Sequence, residues 1–366
     1  MIQNKEAIPC PNCNRIKFFE GLCYYCKQRE FRITIESLNE EELQLMQEDI
    51  LQNIDEMDKW GEVYKNFNSL VAYRDINTSE IARAAFEKNI FYPPVIYKDS
   101  DAELQEKLIA TLLDPDTKYP SQILSCLSQV PSDRVLDVFY ELEQHPLPWR
   151  KNLYVGPARY AEQGGWTFDQ EKNRIQLIYP TCYVFIEDDS ANQSTKLGQL
   201  LEEKCPNCQC YLMNLMKIDG TDPRLAFLNL PGIISIPTCP NCCSLSDKTL
   251  IRYQLNGESS MELIEPYGDE NYLTEELLKE LAEHQYVLSP TAKPLYYPCG
   301  EEEMAHVGGH AYWIQDFQYD DCPDCQQKMK LLGSVPLSTI LDGLEGTEYI
   351  EICTDCQVIS VLHQQT

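Results

Sequence analysis

The sequence is poor in the residues and patterns from which catalytic sites are usually built. Its 366 residues include only five histidines, and it has neither a phosphate-binding Gly-rich loop nor a Gly-x-Ser-x-Gly nucleophile motif. Long apolar runs are missing too. None approaches the roughly 18 residues of a membrane span, and residues 1–9 have no signal-peptide core. We therefore expect a non-enzymatic, cytoplasmic protein that does not insert into membranes.

Positively charged residues are also scarce. Thirty Lys and Arg residues face 58 Asp and Glu residues, which gives a formal net charge of −28. Residues 1–30 sum to +2, residues 31–148 to −13 and residues 149–366 to −17. Such a chain is repelled by nucleic acid and by anionic membranes, and it attracts basic proteins. A basic protein partner is one interpretation of this charge; solubility alone is the other.

Cysteine, by contrast, is abundant. Of 17 cysteines, 12 form six Cys-x-x-Cys pairs arranged as three couples. A two-residue spacer directs both thiolates at one ion, so each couple predicts a tetrahedral four-cysteine zinc site. Disulfides are the alternative, but the expected compartment is reducing; iron suits paired knuckles less well than zinc. The predicted ligands of three structural Zn²⁺ ions are Cys10, Cys13, Cys23 and Cys26; Cys205, Cys208, Cys239 and Cys242; and Cys322, Cys325, Cys353 and Cys356.

Five cysteines lie outside these pairs. Cys126 falls in an apolar helical stretch and is expected in the core, whereas Cys182 and Cys299 carry no prediction. Cys210 and Cys243 each stand beside a pair, and either could replace one of its ligands. A thiol-redox role for the pairs is disfavoured, because redox motifs occur singly beside a helix and these pairs are coupled.

The composition divides the chain into three parts and predicts an α+β protein. Residues 1–30 are expected to form a small zinc ribbon, residues 31–148 an irregular array of α-helical hairpins, and residues 149–366 a duplicated β-rich domain with two zinc knuckle sites. The ribbon interleaves basic and aromatic residues, as nucleic-acid fingers do. Because the rest of the chain is so acidic, we expect its aromatic side chains to pack on the neighbouring domain instead.

Helices are predicted where apolar residues at helical spacing follow a capping residue. Short polar turns between them indicate stacked antiparallel pairs, an arrangement that commonly binds proteins on a concave surface. The expected helices begin near residues 37–40 and 78–80 and span residues 99–113, 120–129, 132–144 and 274–285.

An internal repeat covers much of the β-rich part. In each copy, a Cys-x-x-Cys pair is followed by an apolar strand, a gap, a second strand and a second pair. The gaps are 30 residues between Cys208 and Cys239 and 27 residues between Cys325 and Cys353. Duplication with one zinc per copy is the simplest interpretation. Pairing of cysteines across the two copies is the alternative.

A glycine pair precedes the first cysteine pair of the second copy. Gly308 and Gly309, followed by Trp313, Ile314 and Gln315 and then by the two cysteine pairs, resemble the YwqG-like domain superfamily. That superfamily includes a programmed-cell-death-protein and ribosome-biogenesis chaperone branch. The resemblance covers about residues 150–366 and implies a duplicated β domain with no established catalytic machinery. This sequence departs from many relatives in having His310 and Tyr312 where they place a proline.

The resemblance implies functions in which a protein is held by another protein. Bacterial members include predicted immunity proteins, which neutralise polymorphic toxins delivered between competing cells, and eukaryotic members resemble chaperones of a basic ribosomal protein. We expect an immunity protein, with a cytosolic chaperone or assembly factor for a basic ribosomal or nucleic-acid-binding protein as the alternative. Candidate partner surfaces are the acidic runs at residues 40–42, 55–58, 301–303 and 320–321.

A zinc-dependent hydrolase is the enzymatic alternative. It would use His306 and His310 together with the carboxylates at residues 301–303. An H-x-x-x-H pair binds one metal readily when it lies on a helix, but Gly308 and Gly309 between the two histidines disfavour a helix. The enzymatic interpretation is therefore the weakest of the three.

Overall fold

The computed structural model describes residues 7–188, 193–279, 281, 285–341 and 344–366. Helices fill the first part of the chain and strands the last, so the expected α+β class is confirmed. One large apolar core is built mainly by the helices and another mainly by strands that follow Tyr179. None of the described helices is long and apolar enough to cross a membrane.

Side-chain caps start several helices at the predicted places. Asn39 accepts hydrogen bonds from the N–H groups of Glu41 and Glu42, and the Glu42 carboxylate accepts one from the N–H of Asn39, which completes a capping box. Asp101 and Ser132 cap two further helices. The α-helices are α1 (Tyr24–Ser37), α2 (Glu40–Gln52), α3 (Glu62–Arg74), α4 (Ser79–Glu87), α5 (Ala102–Leu113), α6 (Pro120–Ser128), α7 (Asp133–Gln144), α8 (Pro157–Gln163), α9 (Glu275–Lys279) and α10 (Leu337–Ile340).

The N-terminal part differs from the sequence expectation. Helix α1 begins directly at the second cysteine pair, where the Cys23 sulfur accepts a hydrogen bond from the N–H of Cys26. A boundary at residue 30 therefore falls inside a helix.

The helical core also continues beyond the expected boundary at residue 148, because Trp166, Val184 and Tyr297 belong to it. The expected helix at 274–285 is described only as α9, and part of its remainder lies outside the described residues.

An antiparallel sheet of eight strands, in the order β10-β9-β15-β14-β13-β12-β5-β11, dominates the last part of the chain. A separate sheet has the order β6-β7-β8, and two short hairpins join β1 to β2 and β3 to β4. The strands are β1 (Ile8–Pro9), β2 (Ile16–Lys17), β3 (Trp166–Phe168), β4 (Arg174–Gln176), β5 (Cys182–Glu187), β6 (Lys196–Lys204), β7 (Tyr211–Asp219), β8 (Ile233–Thr238), β9 (Lys248–Tyr253), β10 (Ser259–Ile264), β11 (Tyr286–Leu288), β12 (His306–Gly308), β13 (Lys330–Pro336), β14 (Thr347–Cys353) and β15 (Val358–Gln364).

Both copies of the repeat contain the strand, loop and strand that the sequence predicted. Strand β7 pairs with β8 in the first copy, and β13 pairs with β14 in the second. The two pairs lie in different sheets. The strands that leave each closing cysteine pair bring the copies together, because β9 pairs with β15. That the copies arose by duplication stays a prediction.

Both glycines of the Gly-Gly segment have a left-handed backbone conformation that favours glycine. Gly308 and Gly309 have φ angles of +66° and +80°. A Cβ atom on Gly308 would lie 2.0 Å from the carbonyl oxygen of Thr181, so a side chain is excluded there. Trp313 is partly buried; it stacks on Tyr349 with ring centroids 4.2 Å apart and packs against a small third core.

Candidate metal centres

All 12 predicted cysteine ligands lie in three clusters. Within each cluster, the four Sγ atoms are all within 4.8 Å of one another. The two C-terminal clusters form within each copy of the repeat and not across the copies. We call them the first cluster (Cys10, Cys13, Cys23, Cys26), the second cluster (Cys205, Cys208, Cys239, Cys242) and the third cluster (Cys322, Cys325, Cys353, Cys356).

The sulfur separations fit a shared ion rather than a covalent bond. The Sγ atoms of Cys13 and Cys23 are 3.4 Å apart, and those of Cys205 and Cys242 are 3.8 Å apart. Tetrahedral zinc, with Zn–S bonds near 2.3 Å, holds its ligand sulfurs about 3.8 Å apart, whereas a disulfide holds them about 2.05 Å apart. The described cysteines are all unbridged. The clusters are therefore compatible with three zinc sites.

The first pair of every cluster folds into the same turn. The N–H of Cys10 donates to the carbonyl oxygen of Arg15 at 2.8 Å, and the N–H of Asn14 donates to the carbonyl oxygen of Cys10 at 2.9 Å. The same two bonds recur at the same spacing in the second and third clusters. The corner residues Asn14, Gln209 and Gln326 all have φ near +60°. This turn aims both sulfurs of the pair at one point.

The turn also favours a thiolate at the first cysteine of each cluster. Burial alone raises the pKa of Cys10, but backbone N–H groups around its sulfur, that of Cys23 foremost, lower it to about 6. Burial also raises the pKa of Cys205 and of Cys322, but backbone N–H groups and neighbouring cysteine side chains together lower it below its usual value. Because the thiolate is the form that binds a metal, each cluster offers one ligand that is readily deprotonated.

The closing pairs differ in their secondary structure and exposure. In the first cluster, the closing pair starts helix α1; in the second, it leads into a 3-10 turn at Cys243–Leu245; in the third, it forms the hairpin between β14 and β15. Every cysteine of the second cluster is at most 6% exposed. In the third, Cys322 is buried, whereas Cys325 is exposed and Cys353 and Cys356 are partly exposed.

A side-chain amide supports two of the clusters. Asn12 Nδ2 lies 3.5 Å from Cys26 Sγ, and Asn207 Nδ2 lies 3.6 Å from Cys242 Sγ. Both asparagines occupy the same place in a Cys-Pro-Asn-Cys pair, and a donor at that place stabilises a thiolate. The third cluster has Asp324 there, and its carboxylate accepts two hydrogen bonds from the Arg252 guanidinium instead.

The surplus cysteines next to the second cluster lie outside its set of four mutually close sulfurs. Cys210 is buried and its thiol interacts with that of Cys239, but it is not one of the four. Cys243 instead groups with Glu348 and His363. Sequence reasoning missed this group, since Glu348 and His363 come together only through the pairing of β14 with β15. Cys126 is fully buried, as expected.

The two histidines of the enzymatic alternative lie in the core. His306 has Nδ1 2.6 Å from the Gly308 carbonyl oxygen and Nε2 2.8 Å from Ser334 Oγ. Both ring nitrogens of His310 lie within 3.2 Å of backbone carbonyl oxygens. Within the described part of the chain, neither histidine belongs to a group of potential metal ligands.

Comparison with known proteins gives one distant relative. The chain is 25% identical over 316 residues to a Salmonella typhimurium protein named YpfL and described as uncharacterized, a match that covers 81% of this chain and 71% of the relative. No protein-family model matches the chain. No solved structure matches it either.

Proposed function

We propose that this protein is a non-enzymatic, zinc-stabilised scaffold that binds and neutralises a basic protein, as an immunity protein against a contact-delivered bacterial polymorphic toxin. The observation that carries the proposal is the negative charge that stays exposed after the basic residues have formed their ion pairs. An acidic surface of this kind attracts a toxin whose own site is basic because it seeks nucleic acid.

Helix α2 shows this excess most clearly. It carries five carboxylates and no Lys or Arg residue, and all five are exposed. Within the described part of the chain, the one ion pair made by this helix joins Glu40 to Arg74 at 3.7 Å. The exposed carboxylates of α2 are Glu40, Glu41, Glu42, Glu48 and Asp49.

Two of the other acidic runs each contain a carboxylate that is already paired within the chain. Glu302 is buried and its carboxylate binds the guanidinium groups of Arg29 and Arg32. Asp320 accepts hydrogen bonds from Lys248 Nζ at 2.8 Å and from Ser360 Oγ at 2.6 Å. These two carboxylates stabilise the fold, which leaves α2 as the better candidate surface.

An aromatic cluster adds a second feature that suits a basic partner. Trp60 is 67% exposed, and its ring lies 4.9 Å from that of Tyr64 and 5.2 Å from that of Tyr92. Exposed faces of Trp and Tyr attract guanidinium and ammonium groups, and these residues are enriched in protein interfaces. A partner rich in Arg and Lys would bind both to α2 and to these rings.

Zinc has a structural role in this proposal. Four cysteines fill the tetrahedral shell of Zn²⁺ and leave no position for a substrate or a catalytic water. The first cluster in particular joins only the two-residue strands β1 and β2 to helix α1, so zinc would supply most of the folding free energy of that segment.

The resemblance to YwqG-like domains supports the same role, since its bacterial members include predicted immunity proteins. It also supports the alternative, a cytosolic chaperone or assembly factor for a basic ribosomal or nucleic-acid-binding protein. The two functions differ in the partner: a toxin domain in the first, and an abundant housekeeping protein in the second.

The test is an affinity pull-down of the tagged protein from its native cells at low salt, with mass spectrometry of the proteins that co-elute. A toxin C-terminal domain is expected. The matched variants are Glu41→Lys/Glu48→Lys on α2 and Glu258→Lys/Glu262→Lys, which makes the same charge change directly before β10 and within it. We expect the α2 variant to lose the partner and the β10 variant to keep it.

Recovery of a ribosomal or other housekeeping basic protein would replace the toxin proposal with the chaperone function. If the partner stays bound to the α2 variant and also stays bound at high salt, the electrostatic basis of both the immunity function and the chaperone function is contradicted.

A further inference from the structure

Three potential metal ligands meet outside the cysteine clusters. A ligand atom of Cys243, one of Glu348 and one of His363 lie within 4.8 Å of one another. Glu348 and His363 are cross-strand partners in β14 and β15, and Cys243 lies in the 3-10 turn that packs against β15. Three separate segments of chain thus bring a thiol, a carboxylate and an imidazole to one point.

This group is buried, and that burial calls for a counter-charge. Cys243 is 4% exposed and Glu348 is 1% exposed, and only 6% of the His363 side chain is accessible. A carboxylate removed from water is destabilised unless it is paired. His363 Nδ1 lies 2.8 Å from Glu348 Oε1. Either a proton or a metal ion between these two atoms satisfies both.

The donor set favours a metal. Cysteine sulfur, histidine nitrogen and glutamate oxygen are the three ligand types of zinc sites in proteins. One Zn²⁺ would balance a Cys243 thiolate and a Glu348 carboxylate, with neutral His363 as the third ligand. Without a metal, the Cys243 thiol donates to the carbonyl oxygen of Pro240 at 3.4 Å, and metal binding would release that proton and free the sulfur as a ligand.

The surroundings hold the imidazole in a ligand orientation. A Cβ atom on Gly346 would lie 2.4 Å from Cε1 and 2.6 Å from Nε2 of His363, so the Gly346 backbone lies directly against the ring. The Nε2 atom of His363 also lies 3.5 Å from Gln365 Oε1. Metal-bound histidines commonly direct their second nitrogen at such an acceptor, which fixes the ring.

We propose that Cys243, Glu348 and His363 form a fourth metal site, which takes Zn²⁺ and completes its coordination with a water molecule. The site is distinct from the second cluster although Cys243 follows Cys242 directly. Its three protein ligands leave one coordination position open, whereas the four-cysteine clusters leave none.

Metal content of the full-length protein tests this proposal. Protein expressed with added zinc and then freed of loosely held metal is analysed by inductively coupled plasma mass spectrometry. The wild type should hold four zinc ions per chain, and Cys243→Ala and His363→Gln should hold three. Cys126→Ala is the matched control, because Cys126 is a buried cysteine of the helical core that belongs to none of the four groups; it should hold four.

Cobalt substitution gives a second measurement. Its result would be the same in the wild type and in His363→Gln if Glu348 and His363 formed only a hydrogen-bonded pair. The absorption of the wild type should exceed that of His363→Gln by the bands of one Co²⁺ ion with a single thiolate ligand. Three zinc ions in the wild type, or identical cobalt spectra in the two folded proteins, would overturn the proposal and leave a Glu348–His363 pair joined by a proton. Should Cys243→Ala fail to fold, His363→Gln still decides the question.

Discussion

The second and third clusters share a sequence motif and a turn but differ in their surroundings. Both begin with a turn whose corner residue, Gln209 or Gln326, has φ near +60°. The four cysteines of the second cluster belong to the core that is built mainly by strands. In the third cluster, Cys325 is exposed, and the closing pair lies at the hairpin between β14 and β15. The motif sets the geometry of the ligands, and the surroundings set how much of the fold depends on the metal.

Loss of one ligand should separate the two clusters most strongly. Cys239→Ser and Cys325→Ser should each lower the zinc content by one equivalent. Cys239→Ser leaves three sulfurs buried without a counter-ion, so we expect it to reduce the free energy of unfolding by about 3–5 kcal/mol. Cys325→Ser leaves its neighbours open to water, and we expect a loss of about 1–3 kcal/mol. Urea denaturation followed by circular dichroism measures both values. Equal losses would contradict the comparison.

The pH dependence of stability separates the sheet core from the metal clusters. Burial lowers the pKa of His306 to about 4, although its hydrogen bond to the Gly308 carbonyl opposes this shift. The unfolded state, with a pKa near 6.5, therefore binds more protons than the folded state between pH 6.5 and 4. This contribution to stability is complete above pH 6.5 and is lost as the pH falls towards 4, by about 3 kcal/mol in all.

Urea denaturation at pH 7.5 and pH 4.5 measures this loss. His306→Gln is the control: it keeps the three clusters, so zinc release in acid affects both proteins alike. The variant should lose less stability than the wild type between the two pH values. An equal loss in the two proteins would mean that His306 does not contribute to the pH dependence.

Substitution of the third residue of the opening Cys-x-x-Cys pair should give a smaller difference in stability. That residue is Asn207 in the second cluster and Asp324 in the third. Asn207→Asp replaces a donor near Cys242 Sγ with a carboxylate that repels the thiolates, and we expect a loss of about 1–2 kcal/mol. Asp324→Asn removes an ion pair with Arg252 that is exposed to solvent and therefore weak, so we expect a smaller loss. Thermal melting of the zinc-loaded variants compares them. A larger effect from Asp324→Asn would show that the exposed pair, rather than the amide donor, supports its cluster.

Local patterns predicted much of the fold. The capping box of Asn39 and Glu42 marks the start of α2, and the cysteine spacings predicted which sulfurs come together. These features depend on residues within a few positions or on a motif with one simple geometry. Helix α1 was missed because its first turn belongs to the zinc module, where the Cys23 sulfur acts as the cap.

The remaining features depend on contacts between distant segments. Nothing near Glu348 in the sequence indicates His363 or Cys243. The register of β14 against β15 brings Glu348 to His363, and packing of the 3-10 turn against β15 adds Cys243. The same holds for Glu302, which belongs to an acidic run in the sequence but pairs with Arg29 and Arg32 of α1. Which carboxylates stay exposed could not be decided before such pairings were known.

X-ray absorption at the zinc edge tests most directly whether the three clusters hold zinc. The best sample is Cys243→Ala, because in that variant the clusters are the expected zinc sites. The account predicts three zinc ions per chain, each surrounded by four sulfur atoms at about 2.3 Å. A shell dominated by nitrogen or oxygen, or a protein that folds with its 12 paired cysteines and binds no zinc, would contradict it.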